Sequence, residues 1–197
     1  MGRPSNTDER RAQIVRGMRK VLAKVGYERA SIADVARAAN LTAGLVHYHF
    51  DNKLEILEML VHDLLAERAM LLEQKLLGAR KPASALDAFI EHHLHPGKDA
   101  DPEALACWIV LTAEALREPK IKHALALGLH ETIGKAEAIL RDGMEQRVFK
   151  RIDVGAAAAA LVALIQGYYT VSATAAGAIP KGSAATSAKR MMKGLLE

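Results

Sequence analysis

The chain has one cysteine, Cys107, so it can form no disulfide within itself. Beside Trp108, that thiol reads as a small core residue rather than a redox sensor. No alternating Val, Thr and aromatic run of useful length occurs, which argues against a sheet and for an all-α fold. There is no Gly-rich phosphate loop, nucleophile elbow or metalloprotease motif, so neither an enzyme nor a cofactor is expected. No repeat, Gly/Ser linker or acidic tail divides the chain, so its parts are expected to share a packed boundary. The N-terminus is polar and basic and lacks the apolar core of a signal peptide, so a cytoplasmic protein is expected.

Charge is also missing from residues 154–180, which are dominated by Ala, Val, Leu and Gly. Their length would permit a membrane crossing. However, Gln166, Tyr168, Tyr169, Thr170, Ser172 and Thr174 interrupt the stretch, and Ala contributes little to insertion. A buried helix at a subunit contact is the better expectation, because small residues let two helices approach closely.

Residues 31–53, SIADVARAANLTAGLVHYHFDNK, are the most informative part of the chain. Ser31 suits a helix N-cap, with Asp34 three residues on as its capping-box partner. Ile32, Val35, Ala36 and Ala39 fall on one helical face. Asn40 suits a residue leaving the right-handed region. Thr42 is a second N-cap, starting a short helix from Ala43 to His49. Leu45 and Val46 can pack inward, which leaves Ala43, His47 and Tyr48 for solvent. Two short helices set steeply by a tight turn define a helix-turn-helix, whose second helix lies in the major groove of DNA. Thr42 and Tyr48 offer hydroxyls to phosphates, and His47 and His49 can meet phosphates or base edges. Ala43 and Gly44 keep the helix start thin. Lys53 adds a cation in the first turn of the next helix. The bland alternative makes the aromatics core filler. That suits Phe50 but not Tyr48 flanked by two histidines.

The charge distribution agrees. Residues 1–55 carry ten Lys and Arg against six Asp and Glu, whereas the rest of the chain carries seventeen of each. The entire formal excess of +4 therefore lies in the first part, as suits a polyanionic partner. Residues 1–6 read as a loose arm from which Arg3 could reach DNA.

The run LTAGLVHYHFDNKLEIL resembles the recognition helix and following helix of TetR-type repressors, in which a small residue, a Gly, an aromatic pair, a His-Phe and a Lys recur. Val25-Gly26-Tyr27 is similar to the Gly-aromatic step closing that family's first helix. The resemblance spans about the first 55 residues and agrees in spacing and residue type. It implies DNA contact at Ser31, Thr42, Ala43, Gly44, His47, Tyr48, His49 and Lys53. One departure is His47, where the family often carries Tyr. The resemblance also implies a homodimer through the last two long helices, here residues 154–176 and 184–196. Residues 111–146, with Trp108 before them and Gln166-Gly167-Tyr168 after, are similar to the C-terminal domain of BetI-type, choline-responsive repressors. That likeness does not carry an effector across.

The expected architecture is a three-helix helix-turn-helix domain over residues 1–55, then a helical effector-binding and dimerisation domain over 56–197, about nine helices in all. Ser84 is expected to cap the helix after residue 82, with Pro96 and Gly97 breaking it. Two helices are expected between Pro119 and Arg147. Trp108, Tyr168 and Tyr169 are candidate effector contacts, since aromatic faces suit a quaternary ammonium, although core or interface packing explains them at least equally well. His92, His93 and His95 read as a solvated or partly buried cluster rather than a metal site. The expected function is a ligand-responsive regulator, a repressor, that binds a palindromic double-stranded DNA operator and is released by a small molecule. The alternative is a helical metal- or small-molecule-binding protein without sequence-specific DNA recognition.

Overall fold

A computed structural model describes residues 6–94, 102–175 and 177–197. Arg3, His95, Pro96 and Gly97 lie outside the described residues. Among those described there are nine helices and no strand: α1 (Asn6–Arg29), α2 (Ile32–Ala38), α3 (Ala43–His49), α4 (Lys53–Leu77), α5 (Pro82–Leu94), α6 (Pro102–Glu114), α7 (Pro119–Glu145), α8 (Val154–Thr174) and α9 (Ser183–Leu196). The chain divides into two compact units. One takes the chain up to Leu65 together with the segment ending at Leu125, and the other takes the remainder.

In the first unit α1 is the central helix, touched by α2, α3 and α6. Ile14, Met18 and Leu22 recur at helical spacing along α1 and are fully buried. Val35, Val46, Phe50, Ile56, Leu57 and Leu111 are buried in the same unit. Each such side chain contributes about 1.5–3 kcal/mol by leaving water. Cys107 is buried here, its thiol 3.3 Å from the Arg19 carbonyl oxygen.

In the second unit α5, α8 and α9 pack together. Leu72 from α4 and Ala136, Ile139 and Leu140 from α7 complete that core. Asp153 caps α8 through the Ala156 N–H at 3.1 Å. Val154, Ala157, Ala158, Leu161, Val162 and Ile165 of α8 are buried. By length and composition alone α8 could cross a membrane. Val154, Leu161, Val162 and Ile165 are instead taken up by this core, and the exposed positions up to 167 are Ala or Gly, with Thr170, Val171, Ser172 and Thr174 exposed beyond them. α9 is amphipathic, with Ala185, Ala188, Met192 and Leu196 inward.

Two boundaries differ from the sequence expectation. α5 opens at Pro82, not after Ser84. Proline's fixed φ suits the first helical position, where its missing N–H is no loss, and the Lys81 carbonyl accepts from Ala85 at 2.9 Å. Between Pro119 and Glu145 the chain is one helix of 27 residues rather than two.

At the end of α7 the chain turns back sharply. The N–H groups of Val148 and Phe149 both donate to the Gly143 carbonyl, and Arg147 sits at φ 58°. The Phe149 ring then lies across Gly143, where a Cβ would meet Phe149 Cδ2 at 2.0 Å. Gly143→Ala must expel the ring, at about 1–3 kcal/mol, lowering the thermal midpoint by about 3–10 °C. An unchanged midpoint in calorimetry would mean that the ring does not rest there.

Candidate nucleic-acid interface

The helix-turn-helix is built from local signals. The Ser31 hydroxyl accepts from the Asp34 N–H at 3.1 Å, and the Asp34 carboxylate accepts from the Ser31 N–H at 3.3 Å. This capping box starts α2. The Ser31 hydroxyl also donates to the Asp34 carboxylate, and that bond leads the effects that hold the carboxyl below its usual range. Asn40 takes φ 54°, leaving the right-handed region after α2. Thr42 caps α3 by accepting from the Leu45 N–H at 3.2 Å.

α3 then presents two different sides. Val46 is buried and Leu45 is half-buried against the unit. Thr42, Ala43, Gly44, His47 and Tyr48 are exposed, Tyr48 at 80 %. Nothing lies within 4 Å of a Cβ built on Gly44, so the protein's own packing does not require glycine there. A glycine inside a helix costs about 1 kcal/mol relative to alanine. His49 is half-buried, and its ring meets Tyr48 edge-on at 5.1 Å between centroids.

Three residues of α1 fix these helices through contacts distant in sequence. Arg11 donates to the carbonyl of His49, the last residue of α3, and pairs with Glu55 at 3.0 Å. Its guanidinium also covers the Phe50 ring at 4.1 Å. The Asp51 N–H and Arg11 together hold the Glu55 carboxyl below the usual range. Gln13 Nε2 donates to the Ala39 carbonyl at 2.6 Å. Gly17 faces α2 so closely that a Cβ would lie 2.7 Å from the Val35 carbonyl oxygen. Sequence reasoning missed Arg11, Gln13 and Gly17, because their partners stand more than twenty residues away except for Gly17's at eighteen.

Lys53 stands apart from the other sequence candidates. Its ammonium donates to the carbonyls of Tyr27 at 2.8 Å and Ala30 at 2.9 Å, and lies 4.1 Å from the Tyr27 ring centroid. Gly26, at φ 75°, breaks helical geometry just before these carbonyls. The ammonium thus caps the end of α1 instead of standing free for a phosphate.

The three aromatic effector candidates belong to different compact units. Trp108 is buried on α6 in the first unit, while Tyr168 and Tyr169 belong to the second. Tyr169 is tied into a polar group: its hydroxyl donates to the His93 carbonyl at 2.9 Å and accepts from Arg68. Among the described residues no group of three or more His, Cys, Asp or Glu could hold a metal ion.

Two family models match the chain. "Bacterial regulatory proteins, tetR family" covers residues 14–60, and "BetI-type transcriptional repressor, C-terminal" covers residues 82–197. The chain is 25 % identical over 174 residues to the HTH-type transcriptional regulator BetI of Burkholderia lata, covering 86 % of this chain and 85 % of that protein. To BetI of Pseudomonas paraeruginosa it is 26 % identical over 162 residues, covering 81 % and 79 %. Solved structures share the fold. A transcriptional regulator from Saccharomonospora viridis in complex with choline aligns with TM-score 0.89 at 21 % identity, covering 96 % of this chain and 99 % of that one. A TetR transcription regulator from Haloarcula marismortui aligns with TM-score 0.83 at 16 % identity, covering 96 % and 100 %.

Proposed function

Because the chain belongs to the tetR family of bacterial regulatory proteins, with the C-terminal part of its BetI-type repressors, we propose that α3 is the helix that reads its operator. The protein is a ligand-responsive transcriptional regulator and not an enzyme. Members of this family bind DNA operators and small-molecule effectors, and as regulators of transcription they work in the cytoplasm.

The observation that carries the reading is the outward side of α3. A seven-residue helix exposes a threonine cap, an alanine, a glycine with open space before it, an imidazole and a phenol. That surface can enter a major groove, with the backbone close at Ala43 and Gly44 and the polar tips of Thr42, His47 and Tyr48 on phosphates or base edges. Ser31 lies exposed at the start of α2 and His49 at the edge of the same surface. Lys53 serves by holding α1 and α4 together. Residues 1–55 would thus grip DNA, and residues 56–197 would hold the effector and the dimer contact.

The exposed side of α8 supports a homodimer. Ala156, Ala160, Ala163 and Gly167 recur at helical spacing and carry no charge. Met191 and Leu195 of α9 add exposed apolar surface. Two such copies place two recognition helices on a palindromic site with half-sites about one helical turn or more apart. Release follows if the effector prefers a dimer whose recognition helices no longer match that spacing.

The test begins with selection of bound genomic fragments, which should yield a palindromic site. His47→Ala and Tyr48→Ala should each weaken that site by about 1–3 kcal/mol with the helical circular dichroism and melting unchanged. Wild-type operator affinity in both variants would overturn the assignment of α3.

A further inference from the structure

The helix that faces outward from the first unit carries no permanent positive charge. Between Arg37 and Lys53 the chain has no Lys or Arg and one acid, Asp51, so with its histidines neutral this span has a net charge of −1. The eight Lys and Arg up to Arg29 lie in α1 or ahead of it. The charged groups on the elements around α3 are engaged within the protein. From α1, Arg11 holds the His49 carbonyl and pairs with Glu55 of α4. From α2, Arg37 pairs with Asp34 at 3.0 Å. At the start of α4, Lys53 is held by the Tyr27 and Ala30 carbonyls. Positive charge on α3 itself can come only from its two imidazoles, His47 and His49. His47 is exposed, whereas His49 is half-buried with its ring edge-on to Tyr48.

Phosphate oxygens only accept hydrogen bonds. A neutral imidazole offers them one donor, and its other nitrogen is an acceptor that faces them unfavourably. The charged ring offers two donors and a positive charge, so a phosphate in contact with it favours the charged form. Imidazole is also the side chain whose charge ordinarily changes between pH 5 and pH 8. Resting on the assignment of α3 to the operator, we propose that His47 takes up a proton when the helix meets DNA, so that pH regulates operator binding. The proton comes from solvent, lodges on the bare ring nitrogen and returns to solvent on release. The regulator therefore holds its operator more tightly as its surroundings acidify and lets go more readily as they become alkaline, with no effector present. A lysine or arginine at position 47 would bind without this dependence. The coupling is reciprocal, because operator DNA raises the proton affinity of the ring by the factor that the proton raises the affinity for DNA. Each imidazolium that neutralises a phosphate also displaces a counterion. The slope of log affinity against log salt should therefore steepen on acidification by about 0.9 for each ring engaged.

The experiment titrates the full-length protein onto its selected operator by fluorescence anisotropy at pH 6, 7 and 8 and fixed ionic strength. Circular dichroism checks that helix content is the same at each pH. Affinity should rise by about tenfold or more from pH 8 to pH 6. Calorimetric titration at pH 7 in two buffers of different ionisation enthalpy should show net proton uptake. His47→Gln keeps a hydrogen-bonding side chain that takes no proton, and it should lose most of the rise and the uptake. His49→Gln should keep most of both. His47→Arg should show a nearly flat pH profile, and it decides the matter where His47→Gln binds too weakly to measure. Equal wild-type affinity at the three pH values would remove the proton coupling and leave α3 standing. A rise that survives unchanged in His47→Gln or His47→Arg would also overturn it. Failure to bind any palindromic site at any pH would remove the reading of α3 and this inference together.

Discussion

Gly17→Ala should lower the thermal midpoint and cost at least tenfold in operator affinity, although position 17 touches no DNA in the proposed reading. Two effects compete. Alanine is the better helix former by about 1 kcal/mol. Against that, its Cβ would lie 2.7 Å from the Val35 carbonyl oxygen and 2.9 Å from the Ala39 Cβ. The carbonyl belongs to the α2 backbone and cannot swing aside as a long side chain can, so α1 and α2 must separate. Overpacking of this kind costs about 1–3 kcal/mol, which outweighs the propensity gain. α2 carries α3, so a shift of several tenths of an ångström reaches the recognition surface, where functional geometry tolerates about 0.5 Å. Gly134→Ala is the matched control, since nothing lies within 4 Å of its Cβ. It should raise stability slightly and leave operator affinity alone. Gly17→Ala with wild-type melting and binding would show that the two helices do not meet so closely.

Acid should destabilise the second unit through its partly buried imidazoles. Burial first, then Arg68 and Lys75 of α4, hold His92 down to about 4. Burial, Arg68 and the neighbouring His92 hold His93 well below its usual range. Tyr169 of α8 faces the same cluster as a neutral phenol, its hydroxyl kept protonated chiefly by burial. As pH falls through 6.5 the unfolded imidazoles take up protons and the folded ones do not, so unfolding is favoured. The stability is fully present above about 6.5 and declines between there and about 4. Part of His92 remains in water, so the pair should account for only about 2 kcal/mol of loss between pH 7.5 and pH 5. Urea unfolding at those two pH values measures it. The His92→Gln, His93→Gln double variant should lose less stability on acidification than the wild type. Equal losses in both proteins would remove these imidazoles as the cause.

What could be read from the chain and what could not divides by range. Ser31 with Asp34, Asn40 and Thr42 act within four residues of themselves, and the caps and the turn they form were foreseeable from their chemistry. The outward exposure of His47 and Tyr48 followed likewise from helical periodicity around Val46. Lys53 shows the limit, because its charge and helix position suggested a phosphate. The carbonyls that hold it belong to Tyr27 and Ala30, at separations no local pattern encodes. Trp108, Tyr168 and Tyr169 were candidate effector contacts by their aromatic chemistry, and no local pattern encoded which compact unit each would join.

The sequence alone determined an all-helical chain, the helix-turn-helix and the charge-free α8, because capping, periodicity and absent charge are properties of neighbouring residues. Only the tertiary structure decided that Arg11 ties down the end of α3, that Gly17 lets α1 and α2 touch, and that His92 and His93 each end up with an enclosed, unpartnered Nε2. Those outcomes depend on which backbone atoms folding brings within 3 Å of a side chain, and that distance is set by packing between helices rather than by spacing along any one of them.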